Sequence, residues 1–293
     1  MTVVSEERRA TDPGERRAWW AGLFARPATL ISVSILIVFF LIAALGSFFV
    51  GDHLAISSLR RMRPPSATAW FGTDHLGRDI FARTVIGSRN SLIVGASVAG
   101  LAVTIGSLLG LYAGYFRYGE RAIMRVMDGL MAIPGVLLAI SLAALLGSGL
   151  VTVIIAILVP EIPRMTRLVR GVVLTLKEQP YVTAAVSIGT TTPKILFKHI
   201  LPNSVGVLTV QGTYVCASAI MTESVLSFLG VGTPPDIPSW GNIMASGRQY
   251  FQIAPWIIGF PGLFLSILVL SINIFGDALR DSLDPRLKRR GGL

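Results

Sequence analysis

Three carboxylates stand where a side chain must do more than dissolve in water. Asp128, Glu161 and Glu223 lie at or near the ends of long runs with no other charge. An ionised group at that depth is costly, so it lines a wet path or pairs with a cation. Arg125 precedes Asp128 by three residues and Arg164 follows Glu161 by three, a spacing that predicts local pairs on a helix surface. Glu223 has no such neighbour, which makes it the best candidate for a gate or pore contact. Hydrolytic chemistry finds no support. The sequence holds no Gly-x-x-x-x-Gly-Lys-Ser/Thr phosphate loop, no Gly-x-Ser-x-Gly elbow and no His-Glu-x-x-His pair. His53, His75 and His199 are too scattered for a metal cluster, and the single Cys216 excludes an intrachain disulfide and a multi-cysteine zinc site. No catalytic residue, metal site or cofactor is therefore expected in this chain.

A second group of residues suggests mechanical rather than chemical work. Arg164 to His199 is a long basic stretch without low complexity. Arg164 to Lys177 predicts a helix leaving the membrane, interrupted at Pro180, and Tyr181 to Ile188 a short helix containing Ala184 and Ala185. Gly189 breaks it. Thr192 is placed to cap a second short helix from Pro193 to His199, since proline at the first helical position loses no hydrogen bond. Leu201, Pro202 and Asn203 then enter the next span. A helix, glycine elbow, helix arrangement presents a small apolar knob to another protein.

These residues must be positioned by membrane helices. Of the 293 residues, 52% are hydrophobic and 14% charged, far from the roughly one-quarter charged of soluble domains. Five runs lack Asp, Glu, Lys and Arg: Leu30 to Val50, Leu92 to Phe116, Gly129 to Pro160, Ile200 to Thr222 and Gln249 to Gly276. A span needs about 20 residues, so four runs serve singly and the third is too long. Gly147, Ser148 and Gly149 fold that third run into a hairpin, its arms borrowing Ala122 to Asp128 and Glu161 to Met165. Six spans result. Placing both termini in the cytoplasm requires an even number, and it puts 19 of the 26 basic residues inside, including Arg8, Arg9, Arg16, Arg17, Arg286, Lys288, Arg289 and Arg290. Leu30 to Val50 exceeds the 7–15 residues of a signal-peptide core, which favours an uncleaved anchor. The expected organisation is a cytoplasmic segment (1–28), a first span (29–50), an extracytoplasmic loop with a short amphipathic helix (51–90), a core of five spans (91–280) containing the basic loop (164–200), and a basic tail (281–293).

Gly106, Gly110 and Gly114 align on one helix face and predict close packing against a neighbour. The segment Gly230 to Trp256, rich in proline and aromatic residues, predicts an interfacial belt flanking a span.

The run Thr183-Ala184-Ala185, then Gly189, then Leu201-Pro202 resembles the Glu-Ala-Ala loop of permease subunits in bacterial ABC importers, with Thr183 where many members carry Glu. Four further landmarks, Phe71 to Asp79, Glu223 to Gly230, Pro238 to Gly241 and Gly276 to Pro285, resemble the C-type permease of dipeptide and oligopeptide importers. The resemblance implies an all-α, type I importer permease in the bacterial cytoplasmic membrane. It implies a homologous second permease, two cytosolic ATPases that hold the ATP and magnesium, and an extracytoplasmic substrate-binding protein as partners, with no nucleic acid. Thr183, Ala184, Ala185, Gly189, Thr192, Pro193, Lys194, Lys198, Leu201 and Pro202 would form the ATPase-coupling loop. Pro235, Trp240, Gly241 and Tyr250 would meet the binding protein, while Glu223, Asp128 and Glu161 would line the path or gate. The implied substrate is a di- or oligopeptide, with nickel, glutathione or haem as the alternatives. A secondary, ion-coupled transporter is the alternative class, but it commonly shows duplicated halves with matched interrupted helices, which are not found here.

Overall fold

Proline and glycine set most of the helix boundaries. The computed structural model describes residues 26–283; the basic residues Arg8 to Arg17 and Arg286 to Arg290, and the Asp284-Pro285 end of the last landmark, lie outside the described residues. Helix α1 (Pro27–Phe49) opens on proline. Then come α2 (Ile80–Tyr115), α3 (Arg117–Met131), α4 (Gly135–Leu146) and α5 (Leu150–Leu176). The short α6 (Pro180–Ser187) precedes α7 (Thr192–Phe228), α8 (Trp240–Gly247) and α9 (Trp256–Leu283). Among the described residues the only β features are two isolated bridges in the loop before α2.

Helix α2 starts well before its uncharged run. The Asp79 carboxylate accepts from the Phe81 N–H at 2.8 Å, satisfying one of the free donors of the first turn. Residues 80–90, expected in a loop, are therefore helical, because absence of charge marks residence in lipid rather than the start of a helix.

The expected hairpin forms: Gly147 has a φ of +85°, and the turn ending at Gly149 joins α4 to α5. Its first arm is not straight. Between α3 and α4 the chain bends by 86°. Pro134 offers no N–H and disfavours helix in the residue before it, so Ala122 to Asp128 belong to a separate helix. Among the described residues four helices (α1, α2, α7 and α9) are long and apolar enough to cross a membrane, and the bent pair α3–α4 would make a fifth. Helix α5 is long enough but carries Glu161, Arg164, Arg167 and Arg170.

At the centre, α2 lies against α5, α7 and α1. The predicted glycine face meets α5: a Cβ built on Gly106, Gly110 or Gly114 would fall 2.5, 2.5 and 2.7 Å from the Cβ atoms of Met165, Val169 and Val173. Both rows repeat every four residues, so the glycine notches and the branched or long side chains interlock over two turns. Nearer the other end of α2, Phe39, Ile80, Ile220, Trp240, Ile243, Ile257 and Leu268 form a core where α1, α2, α7, α8 and α9 converge.

Replacing Gly110 by alanine forces a methyl group to within 2.8 Å of the Thr166 carbonyl oxygen and 2.5 Å of Val169 Cβ. The expected cost is about 1–3 kcal/mol, read as a lower melting temperature in detergent. Gly100→Ala, which meets nothing within 4 Å, is the control and should not lower melting.

Candidate functional site

Functional residues gather at the two ends of the bundle and along one groove between them. At the first end, α6 begins at Pro180 and buries Val182 in a cluster with Val173, Ile195 and Ile200; Ala185 is also buried. The alanine pair is thus divided, with Ala185 facing inward and Ala184 exposed beside Thr183, Val186 and Ile188. Gly189 has a φ of +78°, and the Thr190 N–H donates to the Ala185 carbonyl at 3.0 Å, a glycine-terminated helix end. The elbow is where the sequence predicts it. Its exit differs by one residue: Thr191, not Thr192, precedes the next helix, and neither side chain caps it. Nor does that helix stop at His199. A π-helical turn over Ile195–Ile200 carries it without a break into the span. Pro202 explains the turn, because it supplies no N–H at the place where an α-helical bond would form. Beside it the His199 carbonyl accepts from Asn203 Nδ2 at 2.5 Å. Pro193, Lys194, Lys198 and Pro202 are exposed, while Thr192 and Leu201 are half-buried.

Above this unit, α5 presents arginines at every third position, and each finds a carboxylate. Arg164 pairs with Glu161 at 3.0 Å, as the spacing predicts. Asp128 pairs with Arg167 of α5 at 2.7 Å rather than with Arg125. Arg170 donates from Nε to Glu120 at 2.9 Å and holds its carboxyl below the usual range. These α3–α5 pairs were invisible in sequence because the partners are 39 and 50 residues apart.

Along the middle of α7, polar side chains line two grooves that meet at Tyr214. One, of about 650 Å³, includes Asn203, Gln211 and Arg280; the other, of about 370 Å³, includes Ser218, Thr222 and Asn273. Tyr214 donates to Asp277 of α9 at 2.5 Å. Ser218 donates to Glu161 at 3.4 Å, so Glu161, although buried, touches this seam. Asp128 does not line it. A period of three to four along α7 marks the seam in sequence, but these residues are uncharged and do not stand out individually.

At the opposite end, residues 230–242 fold down onto the bundle as a cap. Glu223 is only 1% exposed and lies beneath that cap, not on the groove. It accepts from Ser227 Oγ at 2.7 Å, and Ser227 Oγ in turn accepts from the Thr233 N–H at 3.2 Å. As placed, it joins the cap to α7 through Ser227. Trp240, expected to meet a binding protein, is wholly buried; its Nε1 donates to the Thr84 carbonyl at 3.0 Å, and Gly241 packs on the Ser224 backbone. This burial also overturns the interfacial belt for Trp240. Pro235 is exposed, and the half-buried Tyr250 stacks on His75 at 5.6 Å. Arg83, in sequence one basic residue among several of a loop, is buried under the cap, with Nη2 3.4 Å from both the Pro235 carbonyl and Asn242 Oδ1.

The Phe71 to Asp79 landmark is a compact turn beside this cap. Asp74 accepts from the Leu76 and Arg78 N–H groups at 2.9 Å each and pairs with Arg78 Nε at 2.7 Å. Gly77 has a φ of +79° and packs on the Ser57 carbonyl. Burial pushes the His75 imidazole below its ordinary value, with Arg78, Arg83 and Arg61 acting in the same direction against Asp74.

Comparison with known proteins follows this architecture along most of its length. The family described as the binding-protein-dependent transport system inner membrane component matches residues 102–289. A probable peptide ABC transporter permease of Sinorhizobium fredii is 52% identical over 264 residues, 90% of this chain and 91% of the relative. A dipeptide transport system permease of Alkalihalophilus pseudofirmus is 41% identical over 261 residues, 88% and 86% of the two chains. Among solved structures, an inward-facing methionine ABC transporter, MetNI, superposes with a TM-score of 0.57 at 21% identity, covering 70% of this chain and 98% of that one. That similarity shows a shared type I importer permease fold.

A base with a depressed value binds its proton less well in the folded chain than in the unfolded one. The stability contributed by neutral His75 is therefore present above the ordinary 6.5 and is lost as pH falls through the folded value. Melting temperature should drop as pH is lowered from about 7.5 to about 5, and His75→Phe, which keeps the ring on Tyr250, should remove part of that drop. An unchanged pH profile would refute the assignment.

Proposed function

The chain belongs to the binding-protein-dependent transport system inner membrane components, and we propose that it serves as one permease subunit of an ATP-driven importer of di- and oligopeptides. The shape of α6 is the observation that carries the mechanism. Its inner face is anchored to the bundle, while Thr183, Ala184, Val186 and Ile188 stand free on a helix that ends in a glycine turn. Such a knob fits a cleft in a separate protein. Related chains named for peptide and dipeptide transport support the substrate class.

In this reading both termini are cytoplasmic, and α4 and α5 serve as the third and fourth of six spans. The apolar α4 and the first part of α5 support that count, since both are antiparallel arms of one hairpin. A second permease completes the path, two cytosolic ATPases bind ATP and magnesium, and a substrate-binding protein delivers peptide beside Pro235 and Tyr250. ATPase closure pushes on α6 from outside. Because Val182 packs in one cluster with Val173 of α5 and Ile195 of α7, the push reaches two long helices at once. Differential contacts of the ATPase with the two states supply the bias between them. Glu161, at the junction of α5 with the polar seam, is the path residue this geometry favours.

Gly189→Leu has open space around its Cβ but places a branched side chain at positive φ, a conformation such residues rarely adopt. The expected outcome is normal membrane insertion and ATP hydrolysis with peptide uptake reduced by at least about tenfold. Normal uptake would sink the coupling role. For topology, Lys194→Cys should be labelled from the cytoplasmic side; labelling from outside would overturn the orientation.

A further inference from the structure

A groove of about 780 Å³ between α3 and α5 has no role in the reading above. It is lined by Arg117, Arg121, Arg125, Arg167 and Arg170 together with Glu120 and Asp128. The two carboxylates are already engaged by Arg170 and Arg167. Arg117, Arg121 and Arg125 have no ion-pair partner among the described residues, although three guanidinium groups spaced four residues apart share one helix face. Five arginines against two carboxylates leave a net charge of +3 in one crevice, and like charges at that density call for an anion.

Helix α3 also indicates where that anion comes from. Each free arginine is followed by an apolar residue, Tyr118, Ala122 or Val126, and all three are exposed, Tyr118 to 92%. An arginine stripe therefore borders an exposed apolar stripe along the whole helix. Because α3 is turned 86° from α4, it lies along the bilayer surface wherever α4 crosses the bilayer. A helix with this division sinks its apolar flank among acyl chains and holds its cations at headgroup level. A crevice made to receive a protein surface has no need of that apolar flank.

We propose that the α3–α5 groove is a binding site for the phosphate of an anionic phospholipid, held by Arg117, Arg121 and Arg125 with Tyr118 and Val126 against its acyl chains. The inference rests on the proposed topology for α4 as a span and for the leaflet that supplies the lipid. Occupancy wedges α3 against α5 next to the Asp128–Arg167 and Glu120–Arg170 pairs.

The test is made on the full-length chain with the subunits that co-purify with it, reconstituted in nanodiscs of equimolar phosphatidylglycerol and phosphatidylcholine. Native mass spectrometry after release from the disc counts retained lipids, a readout independent of uptake. Wild type should retain phosphatidylglycerol over phosphatidylcholine by roughly tenfold. R117Q/R121Q/R125Q should bring the ratio near unity, and the matching triple Lys variant should restore most of it. Should the triple Gln variant insert poorly, Arg121→Gln alone should still lower the ratio. Equal enrichment in wild type and the Gln variants would overturn the site. Displacement of the lipid by millimolar inorganic phosphate would reassign the groove to a free anion. Loss of a co-purifying subunit from the Gln variant, with lipid enrichment intact, would reassign it to protein docking. Either result contradicts the proposal.

Discussion

Everything at the α6 end of the molecule depends on how closely α2 approaches α5. Three glycines on α2 face Met165, Val169 and Val173, and a Cβ at any of them would collide with the opposing side chain. Lipid supplies no hydrophobic drive between helices, so close packing and interhelical hydrogen bonds must hold them together. The interlocked rows set both the separation and the register of α5. They thereby place Arg167 and Arg170 opposite α3, and Val173 against the inner face of α6. A shift of α5 by one turn would misplace all of these together.

Charge is handled differently at the two ends. Near α6, carboxylates and arginines pair across α3 and α5 in partly exposed positions, where single ion pairs contribute little stability and are screened by salt. Their value lies in orientation. Under the cap, Glu223 and Arg83 are buried without a direct ionic partner and are held by hydroxyl, amide and carbonyl groups of residues 227–242. Leaving such groups unpaired in the interior is costly, so the cap is fastened by the polar groups it covers.

Local signals were legible and distant ones were not. Gly189, Pro180 and the Gly147 to Gly149 turn punctuate the chain where the sequence predicts, because glycine at positive φ and proline at a helix start act through their own backbone. The i, i+4 glycine row likewise announced a packed face, though not its partner. Asp128 with Arg167, Glu120 with Arg170 and Ser218 with Glu161 depend on tertiary approach, and spacing cannot reveal them. The burial of Trp240 is hidden in sequence for a related reason: the aromatic and proline content of residues 230–256 fits an interfacial belt as well as a cap folded onto the core. Thr192 was off by one residue, within the usual uncertainty of a helix end.

The central claim is that α6 is the element through which a separate ATPase acts on this chain. Ile188, 82% exposed and one residue before the elbow, is the most direct place to examine it. A photo-crosslinking residue introduced there in the assembled complex should link to the ATPase subunit, with a yield that changes when a non-hydrolysable ATP analogue is added. The same probe at Tyr118, on the exposed flank of α3, should not link to it. Cross-linking to the ATPase from Tyr118 but none from Ile188 would contradict the account.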